Sequence, residues 1–73
     1  MPLIQVKVIE NVFTPEQKSQ IITKLTDALV SIEGEHMRPA TVTVIEEVRS
    51  GEWGIGGKAL TTEAVRSIAA GKK

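Results

Sequence analysis

The chain opens on an alternation. Ile4, Val6 and Val8 fall on one side of an extended backbone, and Leu3, Gln5, Lys7 and Ile9 on the other. A period of two, rich in β-branched residues, predicts a half-covered strand over residues 2–9. Pro2 begins it, where a missing N–H does least harm to a hydrogen-bond ladder. The period then lengthens: Ile21, Leu25, Ala28, Leu29 and Ile32 recur at spacings of three and four, as on one stripe of an amphipathic helix. Glu16, Lys18, Gln20, Lys24 and Asp27 lie largely off that stripe. Thr14-Pro15-Glu16-Gln17 reads as the helix start, with a capping hydroxyl, a proline suited to the first turn and a glutamine three residues after the cap. Gly34 is expected to end the helix in the left-handed conformation.

After a short loop over 35–39, alternation returns over 41–48, with Val42 and Val44 on one face and Thr41, Thr43 and Ile45 on the other. Residues 49–57 are rich in turn formers. Ser50-Gly51 and Gly54-Ile55-Gly56-Gly57 bracket Trp53, as in a tight hairpin or a loop packed on a neighbour. Thr61 is expected to cap a short helix to about Ala70, ended by Gly71 and followed by the basic pair Lys72 and Lys73. Two strands joined by a helix of this length should be parallel, with a right-handed crossover. The expected fold class is α/β: a small βαβ unit with a C-terminal hairpin or loop and a short helix. Neither repeat nor linker is visible, so residues 1–73 read as a single domain.

Size makes that unit incomplete. Two strands and a helix leave a sheet face and both sheet edges open, and a core this small supplies only about 3–5 kcal/mol. The absence of cysteine excludes disulfides and thiolate metal sites. His36 is the only histidine, which excludes a histidine-rich metal site. Association into dimers and a larger oligomer is the remaining common source of buried area. Nine basic and nine acidic residues balance, and Phe13 and Trp53 are the only aromatics, so no basic, aromatic-interleaved surface for nucleic acid exists. No apolar run reaches membrane-spanning length, and no basic-then-apolar leader opens the chain. A cytoplasmic protein without membrane contact is expected.

Most catalytic templates fail. One histidine and scattered serines make no triad. Gly54-Ile55-Gly56-Gly57 lacks the spacing and the Lys-Ser/Thr ending of a phosphate loop. Glu46 and Glu47, adjacent on a strand, point to opposite faces. The unusual group is Pro2. Proline after an initiator methionine normally permits its removal, and the mature chain would then begin with a secondary amine. Apolar burial or a nearby cation disfavours the ammonium form, and a neutral amine near pH 7 is a good general base.

Met1-Pro2-Leu3-Ile4-Gln5-Val6-Lys7-Val8-Ile9-Glu10, Pro15-Glu16-Gln17-Lys18, Val44-Ile45-Glu46-Glu47-Val48 and Trp53-Gly54-Ile55-Gly56-Gly57 together resemble, in order, the 4-oxalocrotonate tautomerase family. The resemblance implies a βαβ subunit that pairs into a four-stranded sheet, three such dimers making a homohexamer. It implies no cofactor, and a small 2-oxo or enol acid as substrate. It makes Pro2 the catalytic acid/base of a keto–enol or double-bond isomerisation, and Trp53 an aromatic wall of the pocket. Hydration, dehalogenation or decarboxylation on the same scaffold, or a non-catalytic place in a hetero-oligomer, are the alternatives.

This chain also departs from the family pattern. Asn11-Val12-Phe13 stands where the family's type member has an arginine after the first strand, with one extra residue. A second arginine, on the second strand, falls on Val42 or Thr43. Arg38 and Arg49 are the replacement cations for a substrate carboxylate, with Lys7 and Lys58 as weaker ones. Phe13, Val42 and Trp53 suggest a drier pocket and a less charged substrate. Glu52 is the one acid available beside Trp53 to activate water. His36 reads as a solvated loop residue and Met37 as packing.

Overall fold

The structure, a computed structural model, describes residues 1–71; the basic pair Lys72 and Lys73 lies outside the described residues. Strand β1 (Leu3–Ile9) leads through a short loop to helix α1 (Pro15–Glu33), then a 3-10 helix (Glu35–Ala40) and strand β2 (Val42–Val48). Strands β3 (Trp53–Ile55) and β4 (Lys58–Leu60) form a hairpin, and helix α2 (Thr62–Ala69) closes the order. β1 and β2 pair in parallel from Leu3↔Val42 to Ile9↔Val48. The βαβ unit expected from the pattern is therefore present, and 49–57 resolves in favour of a hairpin.

Each boundary has a local cause. Thr14 caps α1: its hydroxyl accepts from the Gln17 N–H at 3.1 Å, and the Gln17 side chain accepts from the Thr14 N–H at 2.9 Å. Gly34 does end the helix, but at φ 108, ψ 150 rather than in the left-handed helical region. That positive φ is what calls for glycine, and a Cβ there would also lie 2.7 Å from the imidazole of exposed His36, which would have to turn aside. Residues 35–40 coil into a 3-10 helix rather than a plain loop, because Met37 N–H bonds to Gly34 C=O and Thr41 N–H to Arg38 C=O. Gly56 and Gly57, at φ 61 and 83, make the two-residue turn between β3 and β4, where both positions need positive φ. Thr61 caps α2 by accepting from the Ala64 N–H at 3.2 Å.

The inward stripe of α1 is rotated from the expected one. Ala28 is exposed and Ile32 is 84% exposed, while Thr26 and Glu33 turn inward and Val30 is buried. Polar Thr26 is accepted on the sheet side because its hydroxyl meets that of Thr43 at 2.8 Å. That bond, with the Lys18–Glu47 pair at 3.0 Å, fixes α1 chiefly over β2 and leaves β1 thinly covered. Among the described residues only Ile9 and Val30 are buried hydrophobics, while Leu3, Val44, Ile55 and Ile68 remain exposed. The radius of gyration is 14.9 Å, against about 11 Å for a compact chain of this length.

Candidate active site

Pro2 lies at the very start of the sheet. Its carbonyl accepts from the Val42 N–H at 3.1 Å, which fixes it beside the first residue of β2. Pro2 is half-buried, and Met1 before it is 90% exposed. The surroundings at this end are polar. The Thr41 hydroxyl lies within hydrogen-bonding reach of the Glu33 carboxylate and the Met37 carbonyl. Arg38 comes from the 3-10 helix just before β2, and its guanidinium is engaged twice, by Glu35 at 2.6 Å and Asp27 at 2.8 Å. Hydrogen bonds donated to Glu35, then to Asp27, push the Arg38 pKa up, and the same bond from Arg38 holds the Glu35 carboxyl below its ordinary range.

The other end of β1 is apolar. A cavity of about 290 Å³ opens there, walled by Ile9, Val12, Phe13 and Trp53 and, from α2, by Val65, Ile68 and Ala69. Lys7 is the one charged residue on its lining. It stands 3.9 Å from Glu46, with both side chains largely exposed, so the pair is weak. Trp53 is placed by the β3–β4 hairpin, opposite Leu60. Arg49 follows β2 at this same end; it is exposed and makes no ion pair among the described residues. Lys58 and Glu52 are exposed as well.

The residues singled out from the sequence thus fall into two groups. Pro2 and Arg38 share one end of the sheet; Trp53 and Arg49 share the other. Seven residue steps along the strand separate Pro2 from Ile9, roughly 23 Å at about 3.3 Å per residue. One protomer does not bring them together. The two alternative positions on β2 for the second arginine differ in their surroundings: Thr43 faces α1, bonded to Thr26, and Val42 lies on the open face with Leu3, its register partner. Sequence reasoning missed the contribution of α2 to the pocket. The signal was its apolar spacing, Val65, Ile68 and Ala69 at i, i+3 and i+4.

Comparison with known proteins fits this geometry. Residues 2–63 match the family model described as tautomerase enzyme. A probable tautomerase of Dickeya dadantii is 40% identical over 62 residues, covering 84% of this chain and 90% of that protein. A solved structure from work on the 4-oxalocrotonate tautomerase isozymes of Methylibium petroleiphilum superposes with a TM-score of 0.70 at 31% identity, covering 88% of this chain and 97% of that one. DmpI from Helicobacter pylori superposes with a TM-score of 0.70 at 31% identity, over 81% and 95% of the two chains. The chain belongs to the 4-oxalocrotonate tautomerase family and is a tautomerase-type isomerase.

Proposed function

We propose that the protein isomerises a small 2-oxo or enol acid, with Pro2 as the acid/base once Met1 is removed. The observation that carries this reading is that the tautomerase match begins at Pro2 itself, and that Pro2 is anchored by its carbonyl with an exposed methionine before it. A free prolyl nitrogen has a lone pair that an amide nitrogen lacks. Neutral Pro2 takes the proton of the enol hydroxyl and leaves the O–H electron pair on the enolate oxygen. As that pair closes to C=O, the C=C pair takes the proton back from the prolinium at carbon, which restores the neutral amine. Apolar walls keep the resting amine neutral by disfavouring its charged form.

Those walls come, in our reading, from a second copy. β1 is the strand that α1 covers least, with Ile4, Val6 and Val8 only half-buried and its outer edge unpaired. Two β1 edges related by a two-fold axis pair antiparallel. Pro2 of one protomer then meets the Ile9–Trp53 end of its partner, twice per dimer. Exposed Leu3 and Val44 on the open sheet face provide for further association, up to the homohexamer. Within this assembly residues 1–73 act as one unit. Trp53 lines the pocket, Arg49 is a cation without an ion pair among the described residues at its end of the sheet, and Arg38, already held by two carboxylates, is the weaker cation at the Pro2 end.

The alternative reactions of the scaffold, or a non-catalytic subunit role, draw support from one observation: Arg38 is already neutralised, and Thr43 and Val42 offer no charge. Intact mass and turnover separate these readings. The expected result is a mass without Met1, together with ketonisation of enol-phenylpyruvate or 2-hydroxymuconate above the buffer rate. Turnover by a chain that keeps Met1 would remove Pro2 as the base. A chain without Met1 that turns over neither compound would favour the alternatives.

A further inference from the structure

We propose that α2 is a specificity wall: with Trp53, Phe13 and Ile9 it makes a preformed site for the aryl or branched-alkyl substituent of a monocarboxylic enol or 2-oxo acid. The inference rests on the tautomerase reading and adds the substrate's shape and charge. The family-model match ends at residue 63, at the start of the helix that runs from Thr62 to Ala69, so the apolar face of α2 lies beyond it.

The helix is nevertheless firmly placed. Thr62, 5% exposed, donates its hydroxyl to the Glu10 carbonyl at 2.8 Å, and its N–H to the Ser50 hydroxyl at 2.9 Å. Ser50 N–H in turn donates to the Glu10 carboxylate at 2.8 Å. One turn further on, Arg66 Nε donates to the Asn11 carbonyl at 2.8 Å. Asn11 sits at φ 62, a conformation asparagine tolerates, and so turns that carbonyl out of the loop. The ends of β1 and β2 and the loop after β1 are thus all tied to α2. The tie holds Val65, Ile68 and Ala69 against the cavity.

Size and chemistry then define the ligand. An apolar cavity of roughly 150 Å³ already accepts a benzene ring, so 290 Å³ takes a ring and the carbon that carries it. A second carboxylate on that part of the substrate would lose its hydration against walls that return no hydrogen bond. Lys7 at the lining, only loosely held by Glu46, suits one carboxylate. Ile68 lines the cavity yet is 66% exposed, so the site is open to an entering group.

Trp53 is the only tryptophan, so its emission reports this pocket directly. The test titrates the full-length protein with 3-phenylpropanoate and with succinate, neither of which can be ketonised. We expect 3-phenylpropanoate to saturate the Trp53 signal at least about tenfold more tightly than succinate, the discrimination one apolar group earns in a fitted pocket. Ala69→Phe, at an exposed position that places a ring in the cavity, should abolish the difference. Arg66→Ala, which cuts the tether, should reduce it at least about threefold, with unchanged circular dichroism and sedimentation. Equal response to both acids overturns the proposal, as does indifference to both substitutions, which is also the result expected if a side chain of a second copy fills the pocket. Because the readout needs no turnover, a protein that binds but does not catalyse loses the tautomerase reading and keeps the pocket. Turnover without aryl preference does the reverse.

Discussion

The two ends of β1 are built from opposite materials. At the Pro2 end of the sheet, polar contacts join a hydroxyl, carboxylates and a doubly paired guanidinium: Thr41, Glu33, Asp27, Glu35 and Arg38. Around Ile9 the side chains are Val12, Phe13, Trp53 and the apolar face of α2. Under the proposed function, Pro2 as the base needs dry walls to stay neutral and to hold an organic substrate, and the apolar cavity lies at the other end of its own strand. The apolar end has the walls and lacks the base. The proposed two-fold assembly would bring the two ends together, and the shortage of buried area and the separation of Pro2 from the cavity are the two observations that support it.

The comparison is broken most directly at Pro2. Pro2→Ala, after removal of Met1, leaves a primary amine of different basicity and geometry. Activity on the best enol acid should fall by about 10²-fold or more, the usual worth of a general base. An unchanged rate would take the chemistry away from this end of the sheet. Trp53→Ala should lower kcat/KM on its own by removing a wall. Mixing tests the division between protomers more sharply. If Pro2 and Trp53 act across a two-fold axis, a dimer of one Pro2→Ala and one Trp53→Ala protomer has one intact site and one doubly damaged site. Random re-association of the two variants should then restore about a quarter of wild-type activity from two weak parents. No rescue on mixing, once exchange of subunits is verified by mass, would place both residues in one protomer's site.

A smaller effect separates the two arginines. Arg38 sits among carboxylates, whereas Arg49 has no such partner among the described residues. Arg49→Ala should raise KM about tenfold with little change in kcat, the worth of one charge-assisted hydrogen bond to a carboxylate. Arg38→Ala should move KM less than about threefold, because a surface arginine already paired has little to give a substrate. The opposite ranking in steady-state kinetics would move carboxylate binding to the Pro2 end.

What could be read from the chain follows from where each element finds its partners. β1, β2, the Thr14 cap and the parallel crossover were legible because their signals are local: alternation, a capping box, a helix of sufficient length. The stripe of α1 was less so. Ile32 reads as core, yet it lies in the last turn of a helix about 28 Å long, over a seven-residue strand of about 23 Å, and it faces away from Val30. Thr26 is outside the apolar stripe read from the sequence, yet it lies inward because Thr43 answers its hydroxyl. The 3-10 helix was hidden because Pro39 looks like a loop residue, although its fixed φ suits that turn. Pro2 and Trp53 were both legible as candidates. Their placement at opposite ends of the sheet was not, since periodicity fixes faces and says nothing about how the hairpin after β2 folds back.

The smallest expected effect concerns what holds each end together in acid. A hydrogen bond from Lys18 keeps the Glu47 carboxyl below its ordinary pKa, helped by the Asn11 N–H, and so ties α1 and the loop after β1 to β2 at the pocket end. Glu35 is lowered chiefly by Arg38, three residues away in the same 3-10 helix. Both folded-state values lie below the unfolded one. The stability each provides is therefore complete above the unfolded value of about 4.3 and is lost as pH falls through the folded value. Melting temperature should accordingly be flat near neutral pH and decline below about pH 4. Lys18 and Glu47 are 29% and 36% exposed and join distant elements, whereas Glu35 is 75% exposed and its Arg38 pair is local and better screened. Glu47→Gln should therefore flatten the acid limb more than Glu35→Gln, and should lower the plateau at pH 7 while leaving the melting temperature at pH 3 nearly unchanged. Thermal scans of the three proteins across this range decide it. Equal flattening by both substitutions would mean that the pocket end is secured by its apolar contacts and the α2 hydrogen bonds alone.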